Sequence, residues 1–303
     1  MPRLFNSYVM VDWSAATTAK TGKDSIWIGV TKRDIRFRPT FEAFNPPTRH
    51  AAEAQLRAIL TDLRRRNDTA LIGFDFSLGY PAGTAEMLKL KTHDYAAMWA
   101  FLAANVVDKP DNTNNRFAVA AKMNRLMTEQ PWPFWGAPAR DAQTWLSSTK
   151  TIPPADFALP VLRRAEQATQ GAGRAGAKSV WQVFGNGAVG GQTLVGVPAV
   201  KRLADELGDK ALLWPFQSGW RELTPADLDG REAVIAEIYP AMVEVKAEPG
   251  EVNDRAQVRA LCEHFARLDE QGRLGPAFAA PKDADPELVE RVEREEGWIL
   301  GVG

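Results

Sequence analysis

Apolar residues come in short, separated runs at the start of the chain. "SYVMVD" (7–12), "DSIWIGV" (24–30) and "IRFRPTFEAF" (35–44) are rich in β-branched and aromatic residues, and the turn-forming stretches "TTAKTGKD" and "TKRD" punctuate them. This pattern predicts three consecutive antiparallel strands. "TRHAAEAQLRAILTDLRRR" then places Ala51, Ala54, Leu56, Ile59, Leu60 and Leu63 at near-helical spacing, with Thr48 as N-cap after two prolines, and predicts an amphipathic helix. "TALIGFDFSLGYP" is a short, almost wholly apolar run closed by Gly79 and Pro81, as expected of a central strand covered on both faces. The first 80 residues thus read β-β-β-α-β.

From residue 85 to 175 the chain changes character: alanine-rich helical stretches alternate with "DKPDNTNN", "EQPWPFWGAPAR" and "TKTIPPADFALP". This predicts a mainly helical insertion or cap over 85–175, with residues 1–84 and 176–303 forming the core domain. "SVWQVFGNG" and "GGQTLVGVP" read as extended segments leading into a helix, "AVKRLADELG". "EAVIAEIYP" reads as a strand, residues 254–270 as a helix, and the closing "DPELVERVEREEGWILGVG" as a charged helix with an apolar tail that docks on the body.

With 303 residues, 45% of them hydrophobic, the chain can bury a sizeable core. Lysine plus arginine (37) nearly cancel aspartate plus glutamate (38), so the global charge does not announce a nucleic-acid or membrane-surface binder. The single cysteine, Cys262, rules out an intrachain disulfide and suits a reducing compartment. The N-terminal sequence lacks a leader pattern and no stretch approaches the length of a membrane span, so a cytoplasmic protein with no membrane partner is expected. His50, His93 and His264 are scattered without ligand spacing.

The chemistry concentrates in acids. "YVMVDWS" and "LIGFDFS" each end an apolar strand on an aspartate, Asp12 and Asp75, and "VIAEIYP" places Glu237 in the same way. An ionised carboxylate in a buried sheet is costly unless it is paired or binds a metal. Functional groups of open sheets gather at strand ends, and neighbouring carboxylates supply the hard oxygen ligands of Mg²⁺ or Mn²⁺. The alternative is structural: a turn amide for Asp12, or a buried arginine for Glu237.

The order β-β-β-α-β with acids on the first, fourth and a later strand resembles the ribonuclease H fold. More narrowly, "VDWSAA", "IGFDFSLGYP", "VGGQTLVGVP", "AEIYPAMV" and "EEGWILGV" are similar to a family of predicted ribonuclease-H-like nucleases catalogued as a domain of unknown function. The resemblance implies an α/β ribonuclease-H-like mixed sheet, catalytic carboxylates at Asp12 and Asp75, Glu237 as a further acid, and metal ligation by these three. Nucleases of this fold often add two aspartates three residues apart on a C-terminal helix; here Asp254 is present, but Gln257 occupies the second position. The missing acid is otherwise Asp283 or Asp285. The side chains expected to contact substrate are Ser14 and Ser77 beside the two aspartates, Asn186 in the glycine turn, Lys178 and Arg140.

Two glycine-rich segments imitate nucleotide motifs. "GAGRAGAKS" (171–179) misses the P-loop pattern by one residue, because Ala177 separates Gly176 from Lys178, and a polar stretch precedes it where a buried strand is required. "GNGAVG" matches GxGxxG, but Asp205 falls in a predicted helix where a ribose-binding acid should end a strand. "EQPWPFWGAPAR" sets Trp132, Phe134 and Trp135 among prolines, with Arg140 after them and Arg116, Lys122 and Arg125 before; such rings either stiffen a loop or stack bases beside guanidinium groups. Three functions follow: a Mg²⁺- or Mn²⁺-dependent phosphodiester hydrolase acting on a nucleic acid or nucleotide, a nucleotide-binding protein like the actin and sugar-kinase relatives of the fold, or a non-catalytic interaction protein with a degenerate site.

Overall fold

The computed structural model describes residues 3–36, 38–171 and 176–303. The predicted opening is present: β1 (Ser7–Asp12), β2 (Trp27–Arg33), β3 (Pro39–Phe44), α1 (Arg49–Arg65) and β4 (Ala70–Phe74) follow in that order. Phe37, inside the third predicted run, lies outside the described residues. Thr48 caps α1, its hydroxyl oxygen accepting the Ala51 N–H at 3.2 Å.

Helices α2 (Thr84–Met87), α3 (Tyr95–Asn105), α4 (Arg116–Thr128) and α5 (Arg164–Ala168) occupy the alanine-rich stretch. Then come α6 (Val189–Leu207), β5 (Ala211–Leu213), β6 (Ala233–Glu237), α7 (Asn253–Glu270), α8 (Leu274–Ala277) and α9 (Pro286–Arg291), the last continued by a π-helical turn over Val292–Glu296.

Two segments differ from expectation. "GGQTLVGVP" is helical, forming the first half of α6, which runs through Pro198. Its glycines are there for close approach: a Cβ at Gly190 would fall 2.0 Å from the Val180 carbonyl oxygen, and one at Gly196 would fall 2.4 Å from the Phe76 ring. "SVWQVFGNG" is mostly turn, touching strand geometry only in the bridge between Gln182 and Trp135.

The six strands form one mixed sheet in the order β3-β2-β1-β4-β6-β5. β2 runs antiparallel to its two neighbours β1 and β3, whereas β4 runs parallel to β1, β6 to β4 and β5 to β6. Strand side chains alternate between faces. Val9 and Val11 of β1, Ile72 and Phe74 of β4 and Ile235 of β6 enter a core built with α1, α3, α4 and α6. Tyr8, Met10, Leu71, Val234 and Ala236 face the other way, onto Val258, Leu261, Cys262 and Phe265 of α7. The apolar tail docks as its composition suggests: Trp298, Ile299 and Leu300 are buried, and the Leu300 N–H donates to the Glu237 carbonyl at 2.9 Å. Among the described residues no helix is long and apolar enough to cross a membrane.

Candidate functional site

Parallel register brings Asp12 and Asp75 together. Tyr8 pairs with Leu71 and Met10 with Gly73, so the next same-face step aligns Asp12 with Asp75 at the carboxyl ends of two adjacent central strands. Both lie on the face covered by α7. The two carboxyls share a hydrogen bond, and Asp75 Oδ1 also accepts the Trp13 N–H at 2.8 Å.

The same rule turns Glu237 to the other face of the sheet, although it still lines one cavity with Asp12 and Asp75. β6 pairs with β4 so that Glu237 stands opposite Phe74, on the α1/α6 face, and the position that continues the register beside Asp75 is Ile238. Gly73 makes room for it: a Cβ there would lie 2.7 Å from Ile238 Cγ2. The structure pairs Glu237 with Arg163, which donates to its two oxygens at 2.6 and 3.0 Å, while the Leu78 N–H donates to it at 2.9 Å. Arg163 also holds Glu166, the Ser77 hydroxyl and the Glu296 carbonyl oxygen. Burial opposes the Arg163 charge, but two carboxylates more than offset it, so its pKa lies above the ordinary arginine value. Ser77, expected to meet substrate, lines the same cavity but is 2% exposed and hydrogen-bonded to Arg163 and Glu166.

The acid that does approach the pair comes from α7. Asp254, in the first turn of that helix, accepts the Asp24 N–H at 2.6 Å, and its charge acts on both Asp12 and Asp75. Gln257 lines the cavity below it. Asp285 instead caps α9, accepting the Leu288 N–H at 2.7 Å, and Asp283 is exposed and away from the site cavities. Among the described residues no group of three or more His, Cys, Asp or Glu side chains is gathered closely enough to hold a metal ion.

Two cavities meet at Asp12. One, of about 630 Å³, is lined by Asp12, Asp75, Lys178, Gln192 and Tyr239 among others. The second, of about 640 Å³, shares Asp12, Gly187 and Gln192 with it and adds Ser14, Arg116 and Asp254. Lys178 is exposed and makes no ion pair among the described residues; residues 172–175 of the P-loop-like segment lie outside them. The Ser14 hydroxyl oxygen accepts the Ala16 N–H at 3.2 Å, leaving its own proton free to donate into the second cavity. Asn186 and Arg140 line neither cavity, and Arg140 is an exposed side chain beside Asp141. Arg163, not singled out from the sequence, reveals itself only through burial, and of the basic residues noted around the aromatic run it is Arg116 that lines a cavity.

Burial and then the neighbouring acids Asp75, Asp254 and Asp24 push Asp12 well above the usual carboxylate range, and burial raises Asp75 to about 7 against the opposing Trp13 N–H. The folded protein therefore holds protons that the unfolded chain would release from about pH 4 upward, so the pair's contribution to stability is lost as pH rises towards about 7. Asp12→Asn removes one of the crowded charges at nearly constant shape. In EDTA at pH 8 it is expected to melt at or above the wild-type temperature, although most substitutions at ordered positions cost roughly 0.5–3 kcal/mol. A melt well below wild type would make Asp12 a structural hydrogen-bonding residue. Comparison with protein-family models, with curated proteins and with solved structures gave no match for this chain.

Proposed function

We propose that the protein is a divalent-metal-dependent phosphodiester hydrolase of ribonuclease-H-like fold, acting on a nucleic acid or a nucleotide. The observation that carries this reading is the hydrogen-bonded pair Asp12–Asp75 at the ends of adjacent parallel strands, opening on a cavity that also bears Lys178. An antiparallel β1-β2-β3 unit flanked by parallel β4 and β6 agrees with the sequence resemblance to predicted ribonuclease-H-like nucleases.

The donor set fits a small hard cation. The charges acting most strongly on Asp12 are all carboxylates, and among the described residues neither Asp12 nor Asp75 forms an ion pair. Mg²⁺ is commonly held by one or two protein carboxylates, with water and substrate phosphate completing its shell. Asp12 and Asp75 would hold it, with Asp254 adding charge from α7; Glu237 is left to Arg163. Such an ion supplies a lowered pKa for an attacking water and neutralises charge on the phosphate. Lys178, a flexible point charge at the same cavity, would meet a phosphate oxygen.

Calorimetric titration of Mn²⁺ into the stripped protein, with and without ATP, is the test. Binding without nucleotide, together with Mn²⁺-dependent hydrolysis of bis(p-nitrophenyl) phosphate, is expected. Uptake only in the presence of ATP would favour a nucleotide-binding protein, and no uptake in either arm would favour a non-catalytic one.

A further inference from the structure

The described residues include three deeply buried arginines, and one of them is unlike the others. Arg49 donates to both oxygens of Asp108 and to the Ser14, Ala16 and Asn112 carbonyls. Arg163 is satisfied by two glutamates. Arg116, 5% exposed at the start of α4, forms no ion pair among the described residues. Its Nη1 donates to Asn114 Oδ1 at 3.0 Å, its Nε is buried without a partner, and its guanidinium lies 4.2 Å from the centroid of the Phe117 ring. Burial, with repulsion from Arg49, lowers its pKa to about 10, although Asp141 and Asp108 pull the other way without pairing with it. A cation this poorly compensated needs an anion.

What lines the same cavity suggests which anion. Gly185, Gly187 and Ala188 bring in the start of α6, a 19-residue helix with no side-chain cap, whose dipole favours negative charge at this end although the Val189 and Gly191 N–H groups already donate to the Gly187 and Ala188 carbonyls. Phe184, also in the lining, is 46% exposed and stands edge-on to Phe117 with ring centroids 6.2 Å apart. A guanidinium, a helix start and an open aromatic face beside one another match a phosphate joined to a flat base. Asp12, Asp24 and Asp254 line this cavity as well, so an anion is held there only where Arg116 outweighs them.

We infer that this second cavity is a nucleotide subsite, with Arg116 holding a backbone phosphate and Phe184 stacking its base. A single strand then passes from one cavity to the other across Asp12, and the substrate is at least a dinucleotide. Calling the bound strand a substrate rests on the hydrolase reading; the binding itself does not.

Fluorescence anisotropy with a 5′-fluorescein-labelled hexathymidylate, in EDTA, tests the binding without hydrolysis. Arg116→Gln is expected to weaken it about tenfold or more and to flatten the salt dependence of log K by about 0.7, the share of one phosphate. Phe184→Ala, at an exposed ring whose loss the fold tolerates, is expected to weaken it about fivefold or more. Wild-type affinity and salt slope in both variants would overturn the inference, as would no binding by the wild type. Loss in Arg116→Gln alone, with displacement of the strand by millimolar inorganic phosphate, would assign the cavity to a free phosphate and overturn the nucleotide. Binding through Arg116 without metal-dependent hydrolysis would leave the subsite standing and remove the hydrolase reading.

Discussion

Asp75→Asn is expected to cut Mn²⁺-dependent phosphodiester hydrolysis to about a hundredth of wild type or less, with little change in melting temperature measured in EDTA. Asparagine keeps the shape of the side chain and an oxygen for the Trp13 N–H, so the turn after β4 keeps its anchor. What disappears is the charge. A divalent ion held chiefly by two carboxylates loses half its protein ligand charge, and several kcal/mol of transition-state stabilisation goes with it. A variant that retains more than about a tenth of wild-type turnover would place Asp75 outside the reacting centre, whatever its proximity to Asp12.

The largest loss of stability is expected from Arg163→Met. Methionine fills much of the volume but leaves Glu237 and Glu166, 3% and 1% exposed, facing each other without their cation. Breaking a buried ion pair from one side costs about 3–5 kcal/mol, because the surviving charge stays buried. Urea unfolding at pH 8 reads this loss. Burial already raises the Glu237 pKa against the opposing Arg163, and without the arginine the folded state would bind more protons than the unfolded one, so the deficit should shrink as pH falls towards 5. A loss below about 1 kcal/mol, unchanged with pH, would show that the contacts of Arg163 with Glu237 and Glu166 are marginal for stability.

Local pattern carried much of the fold. The β-β-β-α-β opening, the Thr48 cap, β6, α7 and the docking of the C-terminal tail all follow from periodicity and turn chemistry within short windows. α6 did not, because Gly190, Gly191, Gly196 and Pro198 are poor helix formers in isolation, and the glycines are there for the close approach of the Val180 and Val183 carbonyls and the Phe76 ring. β5, at three residues, is too short to announce itself. Within the site, Asp12 and Asp75 were legible because each ends its own strand. A buried arginine for Glu237 was one of two readings left open, and the choice depends on a register between β4 and β6 that places Ile238, one residue later, beside Asp75. Arg163 looks like any surface arginine until the chain is folded, and nothing local separates Arg116 from Lys122 and Arg125, named with it beside the aromatic run.

Cys262 gives the arrangement of acids a clock. The thiol is fully buried, with Sγ 3.6 Å from the Tyr8 carbonyl oxygen, and burial pushes its pKa up to about 12. A thiol-modifying reagent finds neither access nor a thiolate while α7 lies on the sheet. Asp254 sits about two helical turns earlier on that helix, so any opening that lifts α7 far enough to expose the sulfur also withdraws this carboxylate from Asp12 and Asp75. The rate at which Cys262 is labelled therefore counts how often the third acid is absent.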